Sequence, residues 1–283
     1  MAVDAIAVLI VYSAVDPGEL RNVSLSGLEG GLGRALVQLN YPIALAAVPL
    51  TLLALDALPR RAWLAGIPGI ALCWVVAWPG VVDPDDLDAK AVNVLPALGV
   101  ALAASLTVAA VVRAGADFAP ARERDRLRIV SAVVAVLLSF PWIAAEAGLH
   151  FPQGIFLTTE LYAEPKEPPA AAVHLGHHHG FAGTLLVISA LLLSRPRLAA
   201  PRVRRVYAAL VSLMLVYGIA ILVNDLWHEQ VVKRGWTSWD VPSAVVPSLS
   251  MIWLAVLVVA ALVYALGFAH GDAAGPTRDN HIR

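Results

Sequence analysis

The chain has 283 residues, of which 59% are hydrophobic and 14% are charged, and its mean hydropathy is +0.74. Soluble domains carry about 25% charged residues, so this composition excludes an ordinary soluble globular protein. The formal net charge of −1 gives no indication of a nucleic-acid partner. The single cysteine, Cys73, excludes an intrachain disulfide.

Seven hydrophobic windows are long enough to cross a bilayer core of about 30 Å as α-helices. They cover residues 36–56, 62–81, 91–113, 127–147, 169–194, 204–226 and 245–269. The sequence therefore predicts an all-α integral membrane protein, a seven-transmembrane-helix bundle in which residues 1–283 form a single polytopic membrane domain. An earlier apolar run, Ala5 to Ala14, is too short to span and predicts a short N-terminal interfacial or re-entrant helix.

Basic residues are distributed unequally between the two sides of these windows. If the amino terminus is outside, the inner segments hold 14 of the 20 lysines and arginines: Arg60, Arg61, Arg113, Arg122, Arg124, Arg126, Arg128, Arg195, Arg197, Arg202, Arg204, Arg205, Arg278 and Arg283. Basic residues favour the cytoplasmic side, so the predicted orientation is N-out, C-in. The Ala-, Val-, Leu- and Arg-rich composition is typical of a GC-rich prokaryote, which would make this membrane the plasma membrane.

Histidines are concentrated at the predicted outer end of the fifth span. The stretch His174-Leu-Gly-His177-His178-His179 holds four of the eight histidines. Proline is favoured in the first turn of a helix, so this helix is expected to begin near residues 168–169. Because residues three and four apart share a face, His174, His177 and His178 would then fall within an arc of about 100°.

Two other predicted outer helix ends carry acids and histidines at helical spacing. The fourth span ends in Glu146 and His150, just after a kink expected at Pro141. The sixth span ends in Asp225 and His228. Three helix ends thus bring imidazoles and carboxylates to about the same depth, where polar side chains are costly and indicate function.

Imidazole and carboxylate groups together suit Zn or Fe better than Cu(I). The sequence therefore predicts one or two transition-metal ions, Zn or Fe, facing outside. The candidate ligands are His150, His174, His177, His178, Asp225 and His228. Glu146 and Glu229 are the candidate general bases for a metal-bound water. His179 points away from the histidine arc and is expected to be exposed or to orient a ligand.

The spacing His174-x-x-His177-His178 resembles one histidine box of the membrane fatty-acid desaturases and hydroxylases, which use two irons. Those enzymes carry several such boxes on the cytoplasmic side, whereas the other acid and histidine pairs here lie on the predicted outer side. The mixture of histidine and acid is also similar to that of the seven-helix zinc amidases of the alkaline ceramidase type. These resemblances imply a di-iron or a zinc enzyme.

Three functions are compatible with this pattern. The preferred hypothesis is a metalloenzyme, a zinc hydrolase or a non-haem iron oxidoreductase, acting on a lipid-like or other hydrophobic substrate that enters from the membrane. A divalent-metal or small-solute transporter is the alternative, but four of the spans carry almost no polar residue beyond Ser and Thr at mid-depth. A heme-binding or assembly protein would place paired histidines on opposing helices without acids nearby. The remaining reading is that the histidines are solvated or form structural hydrogen bonds.

Overall fold

The computed structural model describes residues 2–15, 24–78, 80–83, 86, 88–115, 121–122, 124–149, 154–162, 169–174 and 179–269. The α-helices within these ranges are α1 (Ala2–Ala14), α2 (Gly27–Gln38), α3 (Tyr41–Ala57), α4 (Trp63–Trp74), α5 (Val94–Ala114), α6 (Asp125–Leu138), α7 (Phe140–Glu146), α8 (His179–Leu193), α9 (Pro201–Trp227) and α10 (Met251–Tyr264). Two π-helical segments, His228–Val232 and Ala265–Ala269, extend α9 and α10. Strands β1 (Leu161–Tyr162) and β2 (Ala170–Ala171) form a short antiparallel pair.

Several helices are long and apolar enough to cross a membrane. The segments Ala91–Ala114, Pro201–Val232 and Met251–Phe268 meet this criterion alone, with 24, 32 and 18 residues. Two bent pairs, α2 with α3 and α6 with α7, meet it together and bend by 45° and 63°. The prediction of an α-helical integral membrane protein is therefore confirmed, with three to five candidate spans among the described residues.

The sharp bend between α6 and α7 follows from a proline. Pro141 lacks an amide N–H and its ring crowds the carbonyl one turn earlier, which favours a kink or a break at this position. Ser139 separates the two helices, and its carbonyl accepts a hydrogen bond from the amide of Trp142 at 3.1 Å. The kink predicted at Pro141 is confirmed. It turns α7 inward, so that Trp142 is fully buried and Glu146 nearly so.

The fifth helix does not begin near residues 168–169 as predicted. Residues 170–171 form β2, residues 172–174 are not helical, and the described part of α8 is His179–Leu193. The expectation that His174 lies on this helix is wrong, because the chain before it pairs with β1 in an extended conformation. With 15 residues, α8 is about 22 Å long, which is shorter than the bilayer core of about 30 Å.

The N-terminal apolar run forms a helix, as predicted, and this helix packs against α2. Val8 and Tyr12 are buried, and a Cβ added to Gly31 of α2 would lie only 2.5 Å from the carbonyl oxygen of Leu9. The opposite face of α1 exposes Ile10. Close backbone packing therefore holds α1 on α2, while its predicted location at the membrane interface stays a prediction.

Helices α8 and α9 approach each other through two facing glycines. A Cβ added to Gly183 would lie 2.6 Å from the carbonyl oxygen of Gly218, and a Cβ added to Gly218 would lie 2.8 Å from that of Gly183. Leu186 and Ile221 are buried beside this contact. Small residues allow such close approach between membrane helices, where dispersion contacts provide much of the stabilisation.

Substitution of Gly183 tests this contact. We expect Gly183→Ala to lower the thermal midpoint in detergent, because the added methyl group meets backbone that can only move with its helix, a cost of about 1–3 kcal/mol. Gly154→Ala is the matched control, since a Cβ there would meet nothing within 4 Å. Equal midpoints for the two variants would contradict the close packing of α8 on α9.

Candidate functional site

A small polar cavity lies where α2, α7 and α8 meet. Its volume is about 50 Å³, which is room for a small ion or a few water molecules. The polar side chains that line it are Arg34, Gln38, Asn40, Asp83, Glu146 and His179. We call this part of the protein, which holds Glu146, His179 and Asp225, the carboxylate end. The cavity brings two carboxylates, an imidazole and a guanidinium to one space.

Glu146, the last residue of α7, is held by the N-terminal helix. Its Oε2 accepts a hydrogen bond from the hydroxyl of Tyr12 at 3.0 Å, and its side chain is buried. The guanidinium of Arg34 lies 5.3 Å from the centre of the Tyr12 ring, within the range of a cation–π contact. Sequence reasoning missed Tyr12 and Arg34. The sequence feature that could have indicated them is a tyrosine and an arginine, each in a segment that consists mostly of apolar residues and glycine.

The environment of Tyr12 keeps its hydroxyl protonated. Burial is the main cause that raises the pKa of Tyr12 above its ordinary value of 10.0, and the negative charge of Glu146 raises it further. The positive charge of Arg34 acts in the opposite direction without reversing the shift. Tyr12 is therefore a neutral hydrogen-bond donor to Glu146 at physiological pH.

Asp225, near the end of α9, caps the start of α8. The amide of Gly180 donates a hydrogen bond to Asp225 Oδ2 at 2.6 Å, which satisfies one of the unpaired amides at the N-terminus of α8. The negative charge also complements the positive end of the helix dipole. Only glycine fits at position 180, because a Cβ would lie 2.4 Å from the Trp142 ring and 2.8 Å from Asp225. This contact places His179 beside Asp225.

His228 begins the π-helical segment that follows α9, and its ring is held in one orientation. Its Nε2 lies 2.9 Å from the carbonyl oxygen of Val241, so Nε2 carries the hydrogen and donates, since a carbonyl only accepts. Its Nδ1 lies 3.4 Å from a carboxylate oxygen of Asp240, which is largely exposed. His228 acts electrostatically on Asp225, as does His179. The predicted pair of Asp225 and His228 is therefore brought together.

Glu229 has an ionic partner on its own helical segment. Its Oε1 lies 3.2 Å from the Nζ of Lys233, and both side chains are mostly buried. The neighbouring Gln230 accepts a hydrogen bond from the amide of Leu157 at 3.1 Å. Gln230 thus connects this segment to the chain just before β1, whereas the ion pair of Glu229 lies within the segment itself.

The predicted metal ligands are only partly represented in the described residues. His150, His177 and His178 lie outside them. His174 precedes α8 and is half-buried, so it does not share a helical face with its neighbours. Across the described ranges, no three or more His, Cys, Asp or Glu side chains form a group that could hold a metal ion. His179, which the sequence analysis set aside, lines the cavity together with Glu146.

An apolar groove adjoins the polar cavity. Its volume is about 200 Å³, and Tyr41 lines both spaces. The apolar lining comes mainly from Leu45, Pro49, Trp74, Leu213, Met214 and Trp253. The hydroxyl of Tyr41 donates to the carbonyl oxygen of Val245 at 2.8 Å and lies 2.7 Å from the hydroxyl of Tyr217. These bonds fix the hydroxyl of Tyr41, whose side chain borders both the groove and the cavity.

The pH dependence of stability tests the Tyr12–Glu146 contact. Because the pKa of Tyr12 is higher in the folded state than in the unfolded state, its contribution to stability is complete below the unfolded value of 10.0 and is lost as the pH rises towards the folded value. We therefore expect the thermal midpoint of the wild type to fall more steeply than that of Tyr12→Phe between about pH 9 and about pH 11.

At about pH 8 the Tyr12→Phe variant should itself be less stable than the wild type by about 1–3 kcal/mol, because the buried carboxylate loses a donor. Tyr264→Phe, beyond the opposite end of α8, is the matched control and should retain the wild-type pH dependence. Identical alkaline slopes for Tyr12→Phe and the wild type would show that Tyr12 does not titrate with folding.

Comparison of the chain with models of protein families, with curated proteins and with solved structures finds no match.

Proposed function

We propose that this protein is an integral membrane metalloenzyme whose His/carboxylate metal site lies at the carboxylate end and acts on a lipid-like or other hydrophobic substrate. The observation that carries the proposal is the position of Tyr41, which forms a common wall of the apolar groove and of the cavity lined by Glu146 and His179. A hydrocarbon chain in the groove would place its polar head group on the Tyr41 side, next to the cavity that holds a carboxylate and an imidazole. A groove of about 200 Å³ is smaller than most ligand pockets, so it suits one segment of a chain.

The proposed ligands are those that the sequence indicates: His150, His174, His177, His178, Asp225 and His228. Two observations support this set. His178 and His177 directly precede His179 in the sequence, and the amide next to His179 is bonded to Asp225. A metal-binding histidine commonly donates its other N–H to a carbonyl or a carboxylate, as His228 does to Val241. In that case Nδ1 of His228 would be the ligating atom.

The surroundings of the two candidate bases favour Glu146 over Glu229. The carboxylate of Glu229 is engaged in an ion pair with Lys233 on its own helical segment. Glu146 borders the cavity and accepts a hydrogen bond from a neutral hydroxyl, so it is placed to receive a proton from a water molecule there. Bound Zn would supply an activated water for hydrolysis, whereas bound Fe would supply redox chemistry.

The seven spans and the N-out, C-in orientation are part of the same proposal. Its support is the separation of charge along α8, with Glu146 and Asp225 near its first residue and Arg128 and Arg195 near its last. Basic residues favour the cytoplasmic side of a membrane, so the carboxylate end would face outside. The short helices α4 and α8 would cross together with their flanking residues.

Labelling of introduced cysteines tests this orientation. In a Cys73→Ala background, we expect Asp240→Cys to react with a membrane-impermeant maleimide in intact cells, because position 240 is largely exposed at the carboxylate end. Ala199→Cys, exposed between α8 and α9, is the matched position and should react only after the membrane is permeabilised. The reverse pattern would overturn the proposed orientation.

Metal analysis tests the proposed site. We expect full-length protein purified after metal-replete expression to contain about one or two equivalents of Zn or Fe, measured by inductively coupled plasma mass spectrometry. His177→Ala/His178→Ala should lose most of this metal, because two neutral nitrogen ligands are removed. Glu146→Gln should retain the metal, since Glu146 is assigned as a base.

His281→Ala, near the C-terminus of the sequence, is the matched control and should bind as much metal as the wild type. A metal-free wild type would refute the proposed function, and full occupancy in the double variant would place the site elsewhere. The identity of the metal then separates the reaction classes, because Zn indicates hydrolysis and Fe indicates oxidation.

A further inference from the structure

A second, larger cavity lies at the opposite end of α8. Its volume is about 480 Å³, and it is enclosed by the start of α6, the end of α8, the first turns of α9 and the π-helical end of α10. Seven arginines line it, namely Arg122, Arg124, Arg128, Arg195, Arg197, Arg204 and Arg205. No acidic side chain of the described residues is part of this lining. We call this region the arginine end.

One carboxylate organises part of the wall of this cavity. Asp125 lies 2.8 Å from Nη2 of Arg195 and 3.0 Å from Nη1 of Arg128. Arg128 also donates through Nε to Ser194 Oγ at 2.9 Å, and Arg122 donates to the carbonyl oxygen of Arg195 at 2.6 Å. These bonds fix three guanidinium groups in place. Their combined charge exceeds that of the single carboxylate.

Other arginines of the cavity are not neutralised in this way. Within the described ranges, no carboxylate lies at ion-pair distance from Arg124, Arg197 or Arg205. Arginine keeps its charge at any physiological pH, so the cavity concentrates positive charge. Like charges held around one space repel each other, and an anion in that space would relieve the repulsion.

The start of α9 already has an anionic partner outside the lining of the cavity. The amides of Ala199 and Ala200 donate to the carboxylate of Asp56 at 2.6 and 3.2 Å, which complements the positive end of the helix dipole. The first turns of α9 contribute Arg204 and Arg205 to the cavity, and the first turn carries no acidic residue. The positive charge of the cavity therefore comes from the arginine side chains.

The far wall of the cavity is apolar and continues into a candidate membrane span. Tyr264, Leu266 and Phe268 form it, and Leu266 is 74% exposed. The segment Met251–Phe268, which ends at this wall, is long and apolar enough to cross a membrane. One side of the cavity thus suits a phosphate, and the other side suits the first carbons of an acyl chain.

We propose that the arginine end binds the headgroup phosphate of an anionic phospholipid. Planar guanidinium groups bind phosphate oxygens through two parallel hydrogen bonds. Basic pockets between membrane helices on the cytoplasmic side are typical sites for anionic lipid headgroups. The apolar wall distinguishes a lipid from a free phosphate, because only a lipid would contact both walls. This site is separate from the proposed metal site and does not depend on it.

Lipid titration of the full-length protein in a neutral detergent tests this proposal. Native mass spectrometry and the thermal midpoint would be followed with dioleoyl phosphatidic acid, dioleoyl phosphatidylglycerol and dioleoyl phosphatidylcholine. We expect the two anionic lipids to bind at least about tenfold more tightly than phosphatidylcholine and to raise the midpoint. Arg197→Gln/Arg205→Gln should abolish this preference, because both arginines line the cavity without an ion pair within the described residues.

Arg60→Gln/Arg61→Gln is the matched control. It removes the same charge from exposed residues between α3 and α4 that do not line the cavity. Retention of the anionic preference in this variant supports the proposal. If both double variants lost the anionic preference equally, general attraction to a basic surface would explain it and the proposed site would be wrong. The absence of any preference in the wild type would also overturn the proposal. If glycerol 3-phosphate or inorganic phosphate raised the thermal midpoint as much as the anionic lipids, the ligand would be a soluble phosphate and the lipid proposal would be wrong.

Discussion

The close contact between α8 and α9 is the constraint on which both ends of the protein depend. Gly183 and Gly218 let the two backbones meet, and one turn before Gly183, Gly180 lets the start of α8 reach Asp225 and Trp142. A larger residue at any of these positions would separate the helices. His179 would then move away from the carboxylates, because it is the first residue of α8. Packing by small residues therefore determines where the imidazole lies.

The carboxylate end is assembled from segments that are far apart in the sequence. Tyr12 and Glu146 are separated by 134 positions, and Tyr41 and Val245 by 204. A neutral hydroxyl bonded to a buried carboxylate costs less free energy than a buried carboxylate alone, so Tyr12 helps to keep Glu146 in the interior. Helix α1 is thus part of the candidate site as well as part of the packing.

Local signals predicted the helical membrane architecture and the kink, because these depend on short stretches of chain. Hydrophobic windows recur in the sequence, and Pro141 removes a helix hydrogen bond at a position where the chain can bend. The start of α8 was predicted wrongly because an apolar stretch with prolines before it suits a strand as well as a helical first turn. Pairing of Leu161 with Ala171 decides between them, and sequence periodicity carries no information about that pairing.

Local patterns also determined which residues of the candidate site could be predicted from the sequence. Glu146, Asp225 and His228 were identified because acids and histidines are rare in apolar helices and fall here at helix ends. The role of Asp225 as a cap and the place of His179 in the cavity depend on how α8 meets α9, which no single-helix pattern describes. Tyr12 and Arg34 are ordinary residues until the fold brings them to Glu146.

Helix α8 joins two regions of opposite charge over a distance of about 22 Å. Its first residue adjoins Glu146 and Asp225, and its last turns adjoin Arg128 and Arg195. The acids at its N-terminus complement the helix dipole, whereas the arginines complement it at the C-terminus. The charges at its two ends therefore stabilise this short apolar helix. An anion held at the arginine end would act against the helix dipole there, while it would relieve the mutual repulsion of the guanidinium groups that line the cavity.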